Sequence, residues 1–384
     1  MTGFIPYGKQ HIDKDDIKAV TDALKSDFLT QGPRIQEFEK KICDYTDSRY
    51  CIAVTNGTAA LHLTVAALQL ESGYEGITSP NTFVASANCL AYNQLKPIFA
   101  DIDPKTYCID PLEIKKKITD KTKVIIPVDF AGQPADMEEI YDLAQKEKIT
   151  VIEDAAHAIG SKYSDGSPVG SCKFSDMTIF SFHPVKTITT AEGGVITTNN
   201  KDLFEILSML RTHGITKDRN KITQYPGPWY QEMQLLGFNY RLSEIHAALG
   251  ISQLKKLNPF IEKRREIIDQ YNQSFKDIPF LITPYEKPGL SSAFHLYVIK
   301  IDFEQIRKTR SEVMDQLRDN NIGTQVHYIP VHTQPYYQKN FNYKPGDYPV
   351  AENYYQSTLS LPLFPDMSKD DVQNVIKNII NLKN

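Results

Sequence analysis

One lysine, Lys186, lies at a position where a lysine is unusual. It is part of the segment SFHPVKTITTAEGG (181–194), between the apolar runs MTIF (177–180) and VITT (195–198), which are typical of buried strands. Burying an ammonium group is unfavourable unless the group is paired or neutralised, and a desolvated lysine has a lowered pKa. Such a lysine is a usable nucleophile toward a carbonyl carbon. A single lysine in a loop more often points into solvent, so other residues must decide between the two interpretations.

A second candidate is a turn that could bind an anion. The stretch YCIAVTNGTAALHLTVAAL (50–68) predicts a short strand, a tight turn at Asn56 and Gly57, and a helix that begins near Thr58. Free N–H groups and the positive end of the helix dipole favour a phosphate at such a helix start. The turn has neither GxGxxG nor Walker spacing, so an ordinary connection between a strand and a helix is the alternative.

Apolar runs and amphipathic segments alternate along the first half of the chain. The predicted elements are strands at 76–79, 96–100, 124–130 and 149–154, and helices at 84–92, 111–118, 137–146 and 201–211. This alternation predicts an α/β fold with a mostly parallel sheet and helices on both faces. Ligands of such sheets collect at the carboxyl ends of the strands, where Asp129 and Asp154 fall. Alternatively, Asp154 caps the helix that follows.

The two ends of the chain have other patterns. A helix is predicted from Asp13, with three apolar residues on one face: Ile17, Val20 and Leu24. After about residue 280 the pattern predicts a smaller α+β domain, with strands at 295–302 and 323–328 and helices at 310–320 and 371–382. We therefore expect a large domain with an N-terminal arm at 1–252 and a small domain at 253–384.

Composition narrows the class of protein. The 384 residues are 41% hydrophobic and 23% charged with a net charge of −4, as in an ordinary globular protein, which argues against a nucleic-acid or membrane-surface partner. No apolar run approaches the roughly 20 residues of a membrane span, and the N-terminus lacks the apolar region of a secretory signal. Five cysteines occur singly, which favours reduced thiols in the cytoplasm over disulfides or a metal site.

Together, the candidate residues meet the needs of pyridoxal phosphate (PLP). The phosphate needs N–H and hydroxyl donors, the ring needs an aromatic face, the ring nitrogen needs a carboxylate, and the aldehyde needs a lysine. The sequence offers a residue for each need: Gly57, Thr58 and Ser181 for the phosphate, Phe83 for the ring, Asp154 with His157 nearby, and Lys186. Because all of these residues occur in one α/β chain, they favour the interpretation that Lys186 is a nucleophile over the interpretation that it points into solvent.

Eight ordered motifs resemble one known family over nearly the whole chain. They are LTQGP, NGTAAL, SPNTFVASAN, VDFAG, EDAAHAIGS, SFHPVKTITTAEGG, GFNYRLSEIHAALG and QVHYIP. By these motifs the chain resembles the DegT/DnrJ/EryC1/StrS family of PLP-dependent sugar-nucleotide aminotransferases. The resemblance implies the type I (aspartate aminotransferase-like) fold of PLP-dependent transferases, with a central, mostly parallel sheet and a smaller C-terminal α+β domain.

The resemblance also implies a role for each cofactor-binding position. Lys186, the expected catalytic residue, would bind the PLP aldehyde and move protons between the cofactor and the substrate carbons. The other expected cofactor-binding residues are Asp154 at the ring nitrogen, His157 near the ring hydroxyl, Phe83 on the ring face, and Gly57, Thr58 and Ser181 at the phosphate. Asn239 would reach the phosphate of the neighbouring subunit's cofactor, which implies a homodimer with shared active sites.

Glutamate and a nucleotide sugar are the substrates that the resemblance implies. The lysine segment is most similar to family members that aminate C4 of a UDP-linked 4-keto-6-deoxy-N-acetylhexosamine in the pathway to pseudaminic acid; the branch that modifies lipid A arabinose is the nearest competitor. The positions expected to contact the nucleotide sugar are Tyr7, Asp27, Phe28, Leu29, Thr30, His183, Gln325, Val326, His327 and Tyr328.

Two other functions are weighed against this one. A family member could act on another UDP- or dTDP-keto sugar at C3 or C4, whereas deoxygenating relatives replace the lysine by histidine and Lys186 is retained here. A PLP-binding sensor without turnover is disfavoured, because no DNA-binding domain is appended and the chain is not basic.

Overall fold

A computed structural model describes residues 3–383, so residues 1, 2 and 384, at the outer ends of the two predicted domains, lie outside the description. Seven strands form the central sheet, and in chain order they are β1 (Tyr50–Val54), β2 (Glu75–Thr78), β3 (Lys96–Phe99), β4 (Thr122–Ile126), β5 (Thr150–Asp154), β6 (Met177–Ser181) and β7 (Gly194–Thr198). Their order across the sheet is β1-β7-β6-β5-β4-β2-β3. The five strands β6, β5, β4, β2 and β3 are parallel to one another. Strand β7 runs antiparallel to both of its neighbours, β1 and β6. The prediction of a mostly parallel sheet is confirmed.

Both faces of the sheet are buried under helices. Eight helices belong to this part of the chain: α1 (Lys14–Leu24), α2 (Pro33–Thr46), α3 (Gly57–Ala67), α4 (Ala85–Tyr92), α5 (Pro111–Lys117), α6 (Met137–Glu147), α7 (Lys201–Leu210) and α8 (Glu244–Leu254). Successive residues of β5 belong to different hydrophobic clusters, Val151 to one and Ile152 to the other. Side chains alternate along a strand, so an uninterrupted apolar strand is stabilised only where both faces are covered.

The predicted strand at 124–130 is too long. β4 ends at Ile126, and Pro127, which has no N–H group to donate, follows it. Val128 still forms a single parallel bridge to Asp154, and Phe130–Gly132 is a 3-10 turn. The apolar run therefore contains a strand and the bend that brings Val128 beside the end of β5.

The first helix leaves much of its apolar face exposed and buries another. Asp13 caps α1 as expected, but Ile17 and Leu24 are 61% and 55% exposed. α1 packs on α8 instead, and its buried Asp16 accepts hydrogen bonds from Gln253 (2.8 Å) and Lys256 (2.7 Å). The helix was predicted correctly, and the face that carries Ile17 and Leu24 is exposed in a single chain.

A smaller sheet lies in the C-terminal part. The remaining strands are the hairpin β8 (Ile215–Thr216) and β9 (Glu232–Met233), and the antiparallel sheet of β10 (Leu281–Ile282), β11 (Tyr297–Ile301) and β12 (Thr358–Leu361). The remaining helices are α9 (Leu257–Phe275), α10 (Phe303–Ile306), α11 (Arg310–Asp319), α12 (Pro335–Phe341), α13 (Pro349–Ser357) and α14 (Lys369–Ile380), with 3-10 turns at Val331–Thr333 and Asn381–Lys383. None of the helices in residues 3–383 is long and apolar enough to cross a membrane.

The predicted strand at 323–328 is wrong. Only Gln325 pairs, in a single antiparallel bridge to Ser360 of β12, and the rest of the segment is irregular. This segment lies at the edge of the small sheet, where its side chains are free to face the centre of the molecule. The predicted domain boundary after residue 252 falls near the end of α8 and stays a prediction.

A buried carboxylate on α8 caps α2. The oxygens of Glu244 accept hydrogen bonds from the N–H groups of Gly32 (3.0 Å), Arg34 (2.9 Å) and Ile35 (3.2 Å). These are donors of the first turn of α2, which have no partner within the helix, and Gly32 offers no side-chain cap. A negative charge is also favourable at this end of the helix dipole. Glu244 therefore fixes α2 and the preceding segment to α8.

Replacing Glu244 by alanine is expected to lower the free energy of unfolding by about 3 kcal/mol, because three backbone donors lose a charged acceptor. Urea unfolding at fixed protein concentration, followed by circular dichroism, measures the loss. Glu262, exposed on α9, is the matched control, and Glu262→Ala should change the value by less than about 0.5 kcal/mol. Equal losses in the two variants would contradict the capping role.

Candidate functional site

A cavity of about 470 Å³ opens at the carboxyl ends of β5 and β6. This is the edge where ligands of parallel sheets bind. Many of the predicted cofactor and substrate residues line it: Tyr7, Gly57, Thr58, Phe83, Asp154, His157, Ser181, His183, Lys186, His327 and Tyr328. The chain thus brings residues from its first ten positions, from the strand ends and from the 323–328 segment to one place.

The start of α3 forms one end of the cavity. Asn56 caps this helix, its Oδ1 accepting the N–H of Ala59 at 2.8 Å. Gly57 is required here, because a Cβ at this position would lie 2.9 Å from the Cβ of Ser181. The helix start therefore meets the end of β6 closely, with the Thr58 and Ser181 side chains on the cavity wall. First-turn N–H groups and two hydroxyl groups at a helix start fit a phosphate, and this end of the cavity suits that of PLP.

Asp154 is placed for a positively charged partner. Ser86 donates its hydroxyl to Oδ2 at 2.6 Å, and the N–H of Ala156 donates to Oδ1 at 3.1 Å. Burial has the largest effect and raises the pKa of Asp154 above its usual value, while these two donors and the charge of Lys186 act in the opposite direction. The donors and the nearby cation favour the ionised form, which is the form that pairs with a protonated ring nitrogen. The alternative that Asp154 caps a following helix is wrong, because residues 155–161 form turns and there is no helix between β5 and β6.

Lys186 lies in a turn between β6 and β7 and lines the cavity. Its backbone N–H donates to the carbonyl of His183 at 2.9 Å. Thr189 and Thr190 hold the following loop, since the Thr189 hydroxyl and the Thr190 N–H both donate to the carbonyl of Phe182. Burial lowers the pKa of the Lys186 ammonium to about 8, although Asp154 acts in the opposite direction. The amine is therefore partly neutral near physiological pH, as a nucleophile toward an aldehyde must be.

Neutral histidine and tyrosine side chains form one wall. Nδ1 of His157 accepts the N–H of Ala131 at 3.3 Å, so the ring proton lies on Nε2, which donates to the Tyr328 hydroxyl at 3.1 Å. Burial, followed by the charges of Lys186 and His327, holds the pKa of His157 well below its usual value. A neutral imidazole with a fixed tautomer can sit beside the ring hydroxyl of PLP without adding charge.

His327 and Tyr7 also line the cavity, and the His327 ring lies 4.9 Å from the Tyr328 ring. Nδ1 of His327 is hydrogen-bonded to the Ser360 hydroxyl (2.8 Å), and burial together with Lys186 lowers the pKa of His327 to about 3. The Tyr7 ring lies 5.4 Å from the His327 ring, and the carbonyl of Tyr7 accepts the N–H of Leu363 at 3.1 Å. The N-terminal arm is therefore held on the small sheet, with its tyrosine facing the cavity.

Several lining residues escaped the sequence predictions. Two of them, Asn56 and Ser86, could have been found from the sequence. Asn56 is a typical cap residue before a predicted helix, and Ser86 lies about one helical turn after Phe83. Glu192 and His295 also line the cavity. His295 comes from the approach to β11, and its ring lies 4.4 Å from that of His157, a contact between distant segments that no local pattern indicates.

Other predicted positions lie outside the cavity of a single chain. They are Asp27, Phe28, Leu29, Thr30, Asn239, Gln325 and Val326. Residues 27–30 are exposed beside the start of α8, and Asn239 is exposed beside Thr212, with which it forms a bridge. Their assignment as substrate or cofactor contacts stays a prediction, and for Asn239 the predicted contact is with a second subunit.

The chain is similar to known proteins over nearly its full length. The family model described as the DegT/DnrJ/EryC1/StrS aminotransferase family matches residues 10–380. The spore coat polysaccharide biosynthesis protein SpsC of Bacillus subtilis is 42% identical over 377 residues, which are 98% of this chain and 96% of SpsC.

Solved structures are similar as well. PseC of Helicobacter pylori, an aminotransferase involved in the biosynthesis of pseudoaminic acid, has a TM-score of 0.91 and 34% identity, with 99% of each chain covered. Spr1654 of Streptococcus pneumoniae has been solved in PLP and PMP forms, and its PLP form has a TM-score of 0.91 and 28% identity, covering 99% of this chain and 98% of that one.

The rate at which the apoprotein captures PLP is expected to rise with pH up to about 8 and then to level off, because the attacking neutral amine of Lys186 becomes the main form there. Below that pH the rate should fall about tenfold per pH unit. Stopped-flow absorbance of the bound coenzyme measures the rate, and Lys186→Ala should show no such capture at any pH. A rate that still rises steeply well above pH 8 would mean that the pKa of Lys186 is not lowered.

Proposed function

Since the chain belongs to the DegT/DnrJ/EryC1/StrS aminotransferase family, we propose that it moves an amino group from glutamate to C4 of a UDP-linked 4-keto-6-deoxy-N-acetylhexosamine. Membership makes it a PLP-dependent sugar aminotransferase. The proposed product is UDP-4-amino-4,6-dideoxy-N-acetyl-β-L-altrosamine or a close analogue. The observation that carries the proposal is that Lys186, Asp154 and the turn at 56–58 line one cavity.

Two likenesses support this choice of sugar. The lysine segment SFHPVKTITTAEGG resembles that of family members acting at C4 of UDP-linked keto sugars. PseC, which shares the fold at 34% identity, is involved in the biosynthesis of pseudoaminic acid. SpsC, at 42% identity, belongs to polysaccharide biosynthesis and favours a second candidate, amination of another UDP- or dTDP-linked keto sugar at C3 or C4.

The fixed residues would hold the cofactor at three points. The start of α3 with Ser181 would bind the phosphate, Asp154 would keep the ring nitrogen protonated, and His157 would face the ring hydroxyl. When bound, PLP supplies an electron-withdrawing ring that stabilises negative charge on the carbon next to the amino nitrogen and carries the amino group between the two substrates. Holding the ring at three points leaves its reactive carbon in one orientation toward Lys186.

Lys186 would move the protons. In the first half of the reaction its amine would take the proton from the α-carbon of glutamate, and in the second half it would deliver a proton to C4 of the sugar. A pKa of about 8 suits both steps, because a group that must accept and release a proton works best when its pKa is near the working pH. The neutral side chains of Tyr7, His327 and Tyr328 would contact sugar hydroxyl groups without competing for these protons.

A second subunit would complete the site. Of the described residues that line the cavity, Lys186 is the only lysine or arginine, yet the diphosphate of UDP and the carboxylates of glutamate need cationic partners. Phe28 and Leu29 are about half exposed beside α8, and Trp229, in the long loop before Asn239, is 72% exposed. We infer that these apolar surfaces meet a second copy and that Asn239 reaches its phosphate site, so the active form is a homodimer.

We also place the reaction in the cytoplasm. The five cysteines, Cys43, Cys51, Cys89, Cys108 and Cys172, are all free thiols, and all but Cys43 are buried. A chain with several free thiols suits a reducing compartment.

Incubation with ¹⁵N-glutamate and a panel of UDP- and dTDP-keto sugars is expected to label C4 of the UDP-linked 4-keto-6-deoxy-N-acetylhexosamine, as read by NMR of the product. Lys186→Ala should lower the rate by at least about a thousandfold, because it removes the proton-transfer group. Lys173→Ala, at an exposed lysine outside the cavity, is the control. Labelling of C3, or of a dTDP sugar alone, would favour the second candidate.

Mixing two inactive variants tests the shared site. Asn239→Ala should weaken PLP binding in its homodimer, and Lys186→Ala should abolish turnover. After joint unfolding and refolding, about a quarter of the wild-type activity should return, because half of the dimers are mixed and each has one intact site. No recovery, with mixed dimers demonstrated by mass spectrometry, would place Asn239 and Lys186 in the same site of one chain.

A further inference from the structure

Two buried carboxyl groups lie behind Asp154, on the face of the sheet that points away from the cavity. Val128 and Asp154 line the cavity, whereas their neighbours Asp129 and Glu153 do not. The backbone joins the two strands here, since the N–H of Asp129 donates to the carbonyl of Asp154 at 3.1 Å. Because side chains alternate along a strand, Asp129 and Glu153 share the opposite face.

The hydrogen bonds of this pair are unequal. Glu153 accepts the hydroxyl groups of Tyr163 (2.6 Å and 2.7 Å to its two oxygens) and Thr178 (2.8 Å). Oδ1 of Asp129 accepts the N–H of Ala135 at 2.9 Å, but no donor in residues 3–383 reaches its buried Oδ2. The carboxyl group of Glu153 is among the groups that raise the pKa of Asp129, both by its charge and by a side-chain interaction.

One proton resolves this arrangement. Two buried carboxylates in contact cannot both be ionised at low cost, and a buried oxygen without a donor is unfavourable. A proton on Oδ2 of Asp129 turns that oxygen into a donor to Glu153. Burial raises the pKa of Glu153 to about 7, and its two hydroxyl donors act in the opposite direction by stabilising the charge. Burial and the neighbouring Glu153 raise the pKa of Asp129 well above its usual value, so the proton is held at working pH.

The surroundings leave the remaining charge without a counterion. The titratable groups that face the pair are Asp154 on the same strand, Tyr163 and Cys172 in the segment before β6, and Cys108 before α5. No lysine, arginine or histidine of the described residues forms an ion pair with either carboxyl group. On the other side of the sheet, Lys186 lines the cavity and its charge acts on Asp154.

We propose that Asp129 and Glu153 share one proton and act as positioning residues, their single negative charge holding positive charge on the cofactor and Lys186 to higher pH. This proposal adds two residues to the proposed active site, and it rests on the proposed function, in which Lys186 carries PLP. The charge acts through Asp154, so neither residue touches the cofactor. Its effect is to widen the pH range in which the bound coenzyme stays protonated.

Infrared difference spectroscopy of the apoprotein tests the shared proton without any cofactor. The wild type should show the carbonyl band of a buried protonated carboxyl group, and Asp129→Asn and Glu153→Gln should each lose it. In either single variant the amide donates to the remaining carboxylate, so the net charge is conserved. A band that persists in both variants would overturn the shared proton.

Absorbance titration of the purified holoprotein tests the charge. Both single variants should keep the wild-type midpoint of the coenzyme titration, whereas Asp129→Asn/Glu153→Gln, which removes the charge, should lower it by about one pH unit. If the double variant does not fold, Tyr163→Phe is the substitute, because Glu153 then loses its charge at higher pH and the midpoint should fall by a smaller amount.

A matched control is Asp176→Asn, a half-buried carboxylate at the opposite edge of the sheet, where it accepts the N–H of Val151 at 2.8 Å. It should leave the midpoint unchanged. An unchanged midpoint in both the double variant and Tyr163→Phe would overturn the electrostatic role. Failure of Lys186 itself is distinguishable, because borohydride would then fail to fix the coenzyme in the wild type while the infrared result stood.

Discussion

Everything at the site depends on keeping one carboxylate ionised in a buried place. Asp154 lies at the end of β5, a central strand, and it is 4% exposed. Burial raises its pKa, and the Ser86 hydroxyl, the Ala156 N–H and the charge of Lys186 act in the opposite direction. The turn after β5 and the start of α4 therefore serve one purpose. They place donors around a charge that the fold would otherwise reject.

The parts of the fold and the site that depend on local patterns could be predicted from the sequence. The alternation of apolar strands with helices fixes the layers, and the carboxyl ends of those strands then mark Asp154 and Ser181. The cap and turn at 56–58 and the lysine between two buried strands follow the same logic, because helix starts and strand ends have residue preferences of their own. For this reason many of the residues that line the cavity could be predicted from the sequence.

The remaining features depend on contacts between distant segments. Ile17 and Leu24 of α1 lie on an exposed face of the helix, because α1 is anchored instead by Asp16, which accepts a hydrogen bond from Lys256. The segment 323–328 has the composition of a strand, yet only one residue finds a partner at the sheet edge. His295 reaches the wall through tertiary packing, and the positions 27–30 and Asn239 lie outside the cavity of a single chain.

The arm that carries Tyr7 has a consequence for assembly. Its carbonyl is bonded to Leu363, so the cavity is closed only after the two ends of the chain have met. Contacts between residues so far apart in the sequence form late in folding, because the entropic cost of closing a long loop must be met first. Partly folded chains would thus lack a wall of the cofactor pocket. PLP would then bind only fully folded molecules and stabilise them by mass action. The concentration of PLP in the cell would therefore influence how much of this protein stays folded.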